Sequence, residues 1–147
     1  MTRRALLPLL ALVAFASCAP ALKPPSVRLD SLKVTKVHLT GMDMLVEFKL
    51  RNTNPNDLEL ERFEYDMWLN DHHLGSGYYT EALHLKPFEE TTVVSKFDLS
   101  FLTLPGTIKA IMQEKLVHAR VKGTFYARGS AHLGFEHEAD VPLENRN

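Results

Sequence analysis

The chain has 147 residues, of which 45% are hydrophobic and 24% are charged, and its formal net charge at pH 7 is −1. This length and hydrophobic content fit one domain with one core. The charge balance excludes the strongly basic surface typical of nucleic-acid-binding proteins, and the single cysteine excludes an intrachain disulfide.

The first 17 residues have the organisation of a signal peptide. Arg3 and Arg4 form a basic start, and residues 5–16 are apolar. This apolar stretch is shorter than the roughly 20 residues that a membrane-spanning helix needs. We therefore expect residues 1–17 to be removed from the mature protein.

The end of this segment resembles the bacterial lipobox. Phe15, Ala16 and Ser17 supply one bulky apolar residue and two small ones directly before Cys18, although leucine is more usual at the position of Phe15. The resemblance implies that Cys18 is the lipid-attachment site and becomes the N-terminus of the mature chain. Its acyl chains would exceed the two-signal threshold for stable anchoring.

A second cleavage pattern is present in the same region. Ala14-Phe15-Ala16 and Ala19-Pro20-Ala21 both fit the small-x-small pattern of ordinary signal cleavage, which would release a secreted protein. We favour lipidation because the chain's only cysteine lies at this position. Since Ala19 stands where an aspartate would resemble an inner-membrane retention signal, we expect an outer-membrane location facing the periplasm.

The mature chain divides into a tether and a domain. Residues 18–26 contain the expected lipidated cysteine together with Pro20, Pro24 and Pro25, and they show no apolar periodicity. Such a composition is typical of an extended linker. Residues 27–147 form the expected domain.

From Val27 onward, apolar residues mostly recur at every second position, which predicts β-strands. A strand through Met44 and Leu50 ends at the turn Asn52-Thr-Asn-Pro-Asn56. The next strand runs from Phe63 to Leu69. Before it, Leu58 and Leu60 lie in the other phase, so the alternation slips near Glu61-Arg62, which predicts a bulge or a bend.

Further strands follow, separated by predicted turns at residues 70–73, 87–90 and 128–130. They lie at residues 82–85, 91–99, 117–126 and 131–141, with a short segment around residues 74–77. Residues 104–115 instead show helical spacing, and Pro105 suits a first helical turn. About seven strands and one short helix predict an all-β fold, an antiparallel immunoglobulin-like β-sandwich.

The strand that ends in Asn-Pro-Asn resembles the type-2 late embryogenesis abundant family, also called the water stress and hypersensitive response domain. Further motifs occur in the family's order: Phe63-x-Tyr65, Leu69-Asn70, Leu74-x-x-Gly77 and Val121-x-Gly123. The resemblance covers about residues 27–142. It implies a seven-stranded fibronectin-type-III-like sandwich, a role in desiccation and other stress responses, and no catalytic residues to transfer.

We interpret the Asn-Pro-Asn motif as a structural turn. Pro55 fixes its own φ and restricts Asn54 to extended conformations. The side chains of Asn52, Asn54 and Asn56 can bond nearby backbone groups in Asx-type turns. The functional alternative is a polar ligand-binding loop.

The remaining polar residues show no pattern of catalysis or metal binding. The seven histidines lack a recognised ligand spacing, so we expect no metal site, no cofactor and no enzymatic activity. Trp68 shares the polar face of its strand; we expect it to pack beneath the tether or the helix, and the alternative is an interface anchor.

The sequence thus predicts a non-enzymatic, lipid-anchored envelope domain that acts in stress protection at the periplasmic membrane surface. Its expected partners are the membrane and an unidentified envelope protein, without nucleic acid. The alternative function is a binding module for an envelope protein or a lipid-like ligand, with strand addition as one mode of recognition.

Overall fold

The computed structural model describes residues 21–103, 106 and 110–145, and almost all of the regular structure in them is β. A single 3-10 helix, Phe101–Thr103, follows the sixth strand. The eight strands are β1 (Ser26–Val37), β2 (Gly41–Arg51), β3 (Leu58–Leu69), β4 (His72–Tyr79), β5 (Leu83–Leu85), β6 (Glu90–Ser100), β7 (Leu116–Ala127) and β8 (Ala131–Asn145). The predicted all-β class is confirmed.

These strands form one sheet in the order β4-β3-β7-β8-β1-β2-β6, with β5 paired to β3. The expected count of about seven strands agrees with the structure, but the expected antiparallel pairing is corrected at one place. The described residues form eight strands, and β1 pairs with β8 in parallel, from Leu32 opposite Leu143 to Val34 opposite Asn145. Alternation in a sequence shows which face a side chain occupies but does not identify the neighbouring strand.

The sheet curls into a nearly closed, barrel-like shape instead of two clearly separate sheets. Register shifts in β1 between Leu29 and Ser31 and between Val34 and Lys36 bend the strand. In β3 the register against β7 shifts between Leu60 and Arg62, which confirms the predicted bulge. These irregularities increase the local twist and bring the outer strands of the sheet, β4 and β6, together.

Hydrogen bonds from Ser95 connect β6 to β4 and to the neighbouring β3 where the sheet nearly closes, and we call this contact the seam. The Tyr65 hydroxyl donates to Ser95 Oγ at 3.0 Å, and Ser95 Oγ donates to the Tyr78 carbonyl at 3.0 Å. Gly77 leaves the necessary room, since a Cβ atom there would lie 2.3 Å from the Tyr65 ring. Burial raises the pKa of Tyr65, so its hydroxyl keeps the proton that it donates.

The interior is filled by the apolar phase of each strand, and aromatic rings form its centre. Phe48 packs edge-on against Phe63, with ring centroids 5.6 Å apart, and against Tyr65 at 5.0 Å. Phe63 also contacts Phe125 at 5.3 Å. In β2 the predicted inward set is fully buried: Met44, Val46, Phe48 and Leu50.

The predicted helix at residues 104–115 falls partly outside the described residues, including Leu104, Pro105 and Ile108. Ala110 and Ile111 are helical and lead into a turn, in which the Gln113 amide donates to the Ala110 carbonyl at 3.1 Å. Ile111 and Met112 are buried against the core. The described part of this segment therefore closes one end of the barrel.

The two ends of the barrel differ in what they contain. At the end where β1 begins, Ser26 lies opposite Arg51, and Arg51 lies opposite Glu90. We call this the proximal end; the β2–β3 turn, the β5–β6 turn and the β7–β8 turn share it. The distal end holds the β1–β2 turn and the segment that follows β6.

Candidate functional site

Asn52 is a hub of hydrogen bonds at the proximal end. Its side chain is fully buried. The side-chain nitrogen Nδ2 lies 2.8 Å from the Asn56 carbonyl, 3.0 Å from that of Leu85 and 3.2 Å from that of Lys86. Its backbone amide donates to the Glu89 carbonyl at 2.9 Å. Asn52 thus joins the β2–β3 turn to the β5–β6 turn.

Asn54 extends this network to the segment before β1. The Lys23 amide donates to Asn54 Oδ1 at 2.9 Å, and Asn54 Nδ2 donates to the Lys23 carbonyl at 2.8 Å. Asn52 Oδ1 in turn accepts from both the amide and the Nδ2 of Asn54, at 2.9 and 3.0 Å. Thr53 Oγ1 adds a bond to the Pro24 carbonyl at 3.1 Å. We call this set of bonds the clasp.

The other two residues of the motif contribute through their backbone. Pro55 and Asn56 are exposed, and Asn56 supplies the carbonyl that Asn52 binds. Sequence reasoning identified the motif but missed its partners, Lys23 and the carbonyls of Leu85 and Lys86. No local signal in the sequence identifies them, because they lie 31 to 34 positions away.

The predicted lipid-attachment site lies outside the described residues, and this holds for Phe15, Ala16, Ser17 and Cys18. Of the predicted tether, residues 21–26 are described; residues 21–25 contain no strand, and Ser26 begins β1. Pro25 is buried, and Lys23 and Pro24 are bound by the clasp. The chain is therefore attached to the domain from Lys23 onward.

The β5–β6 turn presents an aromatic side chain at the same end. The Glu89 amide donates to the Lys86 carbonyl at 3.1 Å, and Glu89 Oε2 accepts from the Lys86 amide at 2.8 Å. Phe88 occupies the third position of this turn with a φ of 59°. Its side chain is 56% exposed.

Several histidines are paired with carboxylates on the surface. His38 lies 3.0 Å from Asp43, and His73 lies 3.3 Å from Asp66. His84 lies between two acids, 3.2 Å from Asp57 and 3.6 Å from Glu59. His132 instead packs edge-on against the Tyr126 ring. Across the described part of the chain, no group of three or more histidine, cysteine, aspartate or glutamate side chains is arranged so that it could hold a metal ion.

His118 forms the tightest of these pairs. Its Nδ1 lies 2.9 Å from Asp140, and its Nε2 lies 2.5 Å from Glu138. Both hydrogen bonds, that to Asp140 first, raise the pKa of His118 above its usual value. The sequence carried a signal for this cluster, because the predicted turn at residues 128–130 places His118 opposite Asp140 in the β7–β8 hairpin.

His137 has the opposite environment. It lies in the inward phase of β8, and its Nε2 is buried without a hydrogen-bond partner in the structure. Burial lowers the pKa of His137, and the positive charge of Arg28 lowers it further. This histidine is therefore neutral at pH 7.

Trp68 lies half-buried on the outer face of the sheet. The Arg120 guanidinium lies 4.4 Å from the centre of its ring, and the His73 ring lies at 5.0 Å. These contacts come from β7 and β4, whereas we expected contacts with the tether or the helix. A cation–π contact of this kind is typical of a packed surface aromatic residue.

No helix in residues 21–103 and 110–145 is both long enough and apolar enough to cross a membrane.

One comparison with a solved structure supports the fold. The solution structure of an Arabidopsis thaliana protein is similar with a TM-score of 0.66 at 9% sequence identity, covering 90% of each chain. A late embryogenesis abundant protein solved in solution gives a TM-score of 0.42 at 13% identity, covering 80% of this chain and 71% of the other. The crystal structure of a protein from Archaeoglobus fulgidus gives a TM-score of 0.49 at 19% sequence identity, covering 78% of this chain and 97% of the other.

No curated protein sequence matches the chain. The sequence model of the late embryogenesis abundant protein family matches residues 47–139, which is more than half of the chain. The matched region includes the clasp residues Asn52 and Asn54. The resemblance drawn from the Asn-Pro-Asn strand is thereby confirmed, and the chain belongs to the type-2 late embryogenesis abundant family.

Proposed function

We propose that this protein is a lipid-anchored, non-enzymatic domain of the cell envelope that acts at the periplasmic surface of the outer membrane during water stress. In this proposal residues 1–17 are the signal peptide, residues 18–26 carry the lipid and the link to the domain, and residues 27–147 form the domain. A stress-response role without catalysis is consistent with membership of the family.

The observation that carries the proposal is the position of Cys18. It is the chain's only cysteine and follows the lipobox-like residues Phe15-Ala16-Ser17. Five residues later the clasp attaches Lys23 to Asn54. A lipid on Cys18 would therefore hold a folded domain close to the membrane.

The packed interior supports a protective role that does not depend on a folding transition. Inward-facing side chains from all eight strands belong to the core cluster or pack against it. The domain would therefore be folded in water. Chains that become ordered only on binding or drying instead have a low hydrophobic content. Protection would come from the surface of the domain.

The assignment of this fold to the fibronectin-type-III-like sandwiches is also a proposal. We infer that the two curved halves of the sheet, one with β1, β2 and β6 and the other with β3, β4, β5, β7 and β8, correspond to the two sheets of a fibronectin-type-III-like sandwich. In support, the halves meet through the short parallel ladder between β1 and β8.

Metabolic labelling with a radioactive fatty acid tests the anchoring. We expect the wild-type chain and a Ser26→Ala control to be labelled and to sediment with membranes. The Cys18→Ala variant should be unlabelled and appear in the soluble fraction. Fatty-acid labelling that survives this substitution contradicts the proposal.

Survival after drying tests the stress role. Cells that lack the gene should survive drying less well than wild-type cells, and the wild-type gene should restore survival more fully than Cys18→Ala. Equal survival with and without the gene would contradict a protective role.

One observation favours the binding-module alternative. The ladder between β1 and β8 covers only three residue pairs. Further along β8, a pocket of about 430 Å³ opens beside Val27 and Phe135, with Gly134 in its wall. An extended segment of an envelope protein could pair with β8 at this position, as in other cases of strand addition.

Capture of partners from an envelope extract distinguishes this alternative. A Cβ atom at Gly134 would lie 4.0 Å from the Gly123 carbonyl oxygen, so this position accepts a side chain, and Gly134→Leu is designed to obstruct the pocket. If the domain is a binding module, we expect the wild-type domain to capture one stoichiometric partner. The Gly134→Leu variant should no longer capture it, whereas the control variant Leu39→Ser, at the distal end, should. Capture of no stoichiometric partner favours the diffuse protective role.

A further inference from the structure

Phe88 occupies a backbone position that an aromatic residue disfavours. The turn Lys86-Pro87-Phe88-Glu89 has proline at its second position and a positive φ at its third, which is the pattern of a type II turn. Glycine or asparagine is preferred at this third position, because a Cβ atom is strained there. With more than half of its side chain exposed, Phe88 gains little from burial in the core. Neither the turn nor the core explains why phenylalanine is present.

The turn that carries Phe88 is firmly held. Asn52 binds the carbonyls of Leu85 and Lys86 through its side chain and that of Glu89 through its amide. Asn52 also binds Asn54, which binds Lys23. An unbroken chain of hydrogen bonds thus connects the aromatic turn to the segment where the chain enters the domain.

The length of the chain limits how far this end can lie from a lipid on Cys18. Lys23 is five positions after Cys18, and even a fully extended segment of this length spans at most about 18 Å. Leu22, which is 40% exposed, lies within this interval. The proximal end is therefore the part of the domain closest to an anchored membrane.

The charges at this end do not favour an electrostatic contact. Exposed Lys23 and Lys86 are accompanied by exposed Glu89 and Glu90. A polybasic site for anionic lipid requires a cluster of lysine and arginine side chains. A membrane contact at this end would be apolar instead, with an aromatic side chain at the level of the headgroups.

We propose that the proximal end rests on the phospholipid surface and that Phe88 inserts into the interface, assisted by Leu22. This inference rests on the lipid anchoring proposed above and extends it, because it assigns the domain an orientation. In this orientation the proximal end faces the membrane, and Leu39 and Leu102 at the distal end face away from it.

Fluorescence quenching by brominated phospholipid tests the contact. The mature chain beginning at Cys18 is coupled through its only thiol to a maleimide lipid in phosphatidylcholine vesicles. In a Trp68→Phe background, Phe88→Trp places an indole at the proximal end and Leu39→Trp places one at the distal end. We expect several-fold stronger quenching for Phe88→Trp, and equal quenching of the two variants overturns the proposal.

Chemical coupling separates this test from that of the proposed function. The coupled lipid supplies an anchor whether or not cells lipidate Cys18. Wild-type protein that is not labelled with fatty acid in cells would therefore contradict the proposed anchoring but not the proposed contact of Phe88 with the membrane. Quenching should be the same when part of the lipid is phosphatidylglycerol. Quenching that requires the anionic lipid would overturn the apolar contact.

Phe88→Gly provides a second, independent measurement. Since glycine adopts a positive φ without strain, we expect the urea midpoint of the chain free in solution to rise or stay unchanged. A clear fall would show that Phe88 packs to stabilise the fold, and this result would also overturn the proposal.

Discussion

Asn54 and Lys23 bind each other through a reciprocal pair of hydrogen bonds, in which each residue both donates and accepts. The Lys23 amide bonds to Oδ1, and Nδ2 bonds to the Lys23 carbonyl, across 31 positions of sequence. A side-chain amide placed in this way acts as a strand neighbour for a single residue. The segment before β1 is thereby fixed to the β2–β3 turn.

Replacing Asn54 with alanine should release this segment. We expect the Lys23 amide to lose its protection from hydrogen exchange and the free energy of unfolding to fall by about 1–3 kcal/mol. Hydrogen exchange followed by mass spectrometry or NMR measures the first effect, and urea unfolding measures the second. In the control, Asn56→Ala, both should stay near wild type, since Asn56 offers only its backbone carbonyl.

Replacing Asn52 should cost more, because its side chain is buried and reaches three carbonyls. We expect Asn52→Ala to lower the free energy of unfolding by about 2–4 kcal/mol, since buried acceptors lose their donor. Asn52→Asp keeps the shape but cannot donate, so it should be at least as destabilising at neutral pH. Urea unfolding of both variants checks this, and a wild-type midpoint for Asn52→Asp would contradict the assigned donor role.

Removing the Tyr65 hydroxyl should weaken the seam. Tyr65→Phe loses the bond to Ser95 while the ring stays in the core, so we expect a loss of about 1–2 kcal/mol in urea unfolding. Tyr79→Phe is the matched control, because the Tyr79 hydroxyl makes only a 3.3 Å contact with exposed Glu81. Similar losses in the two variants would show that the seam hydrogen bond contributes nothing specific.

The His118 cluster should make stability depend on pH above the ordinary histidine pKa of about 6.5. The folded pKa of His118 is raised, so its contribution is fully present below the unfolded pKa of about 6.5 and is lost as pH rises through the folded value. His118→Gln should therefore be less stable than wild type at about pH 6 and equal to it at about pH 9. Thermal unfolding at these pH values measures the difference, and a difference that is the same at both contradicts the charge-based explanation.

His137 should act in the opposite direction in acid. Its folded pKa is lowered, so protonation favours the unfolded chain, and stability falls as pH drops below the unfolded value of about 6.5. His137→Gln removes this titration, and its unfolding temperature should fall less than that of wild type between about pH 7 and pH 5. A parallel fall in both proteins would show that His137 does not titrate in this range.

The sequence predicts those parts of the fold that depend on neighbouring positions in the chain. Alternation located β2, β6 and β7, because one face of each strand is buried. The slip at Glu61-Arg62 located the bulge in β3, because the inward phase changes there. The Asn-Pro-Asn turn was recognisable because proline and asparagine restrict the backbone locally.

Features that depend on distant segments were not predictable in the same way. The parallel pairing of β1 with β8 leaves no trace in either strand's own pattern. Ser95 is a polar residue in an inward phase, and its role is evident only once Tyr65 and Tyr78 lie beside it. The pairing of His118 with Asp140 was partly predictable, because the register of the β7–β8 hairpin follows from its turn and places the two residues opposite each other.

The seam also protects the two outermost strands of the sheet. A strand edge with free amides and carbonyls is a template on which a second molecule can add its own strand. Because β4 and β6 face one another through Tyr78 and Ser95, these edges are turned toward each other and not toward neighbouring molecules. A high local concentration of copies, as arises when solvent is withdrawn, therefore meets a surface without these two templates for aggregation.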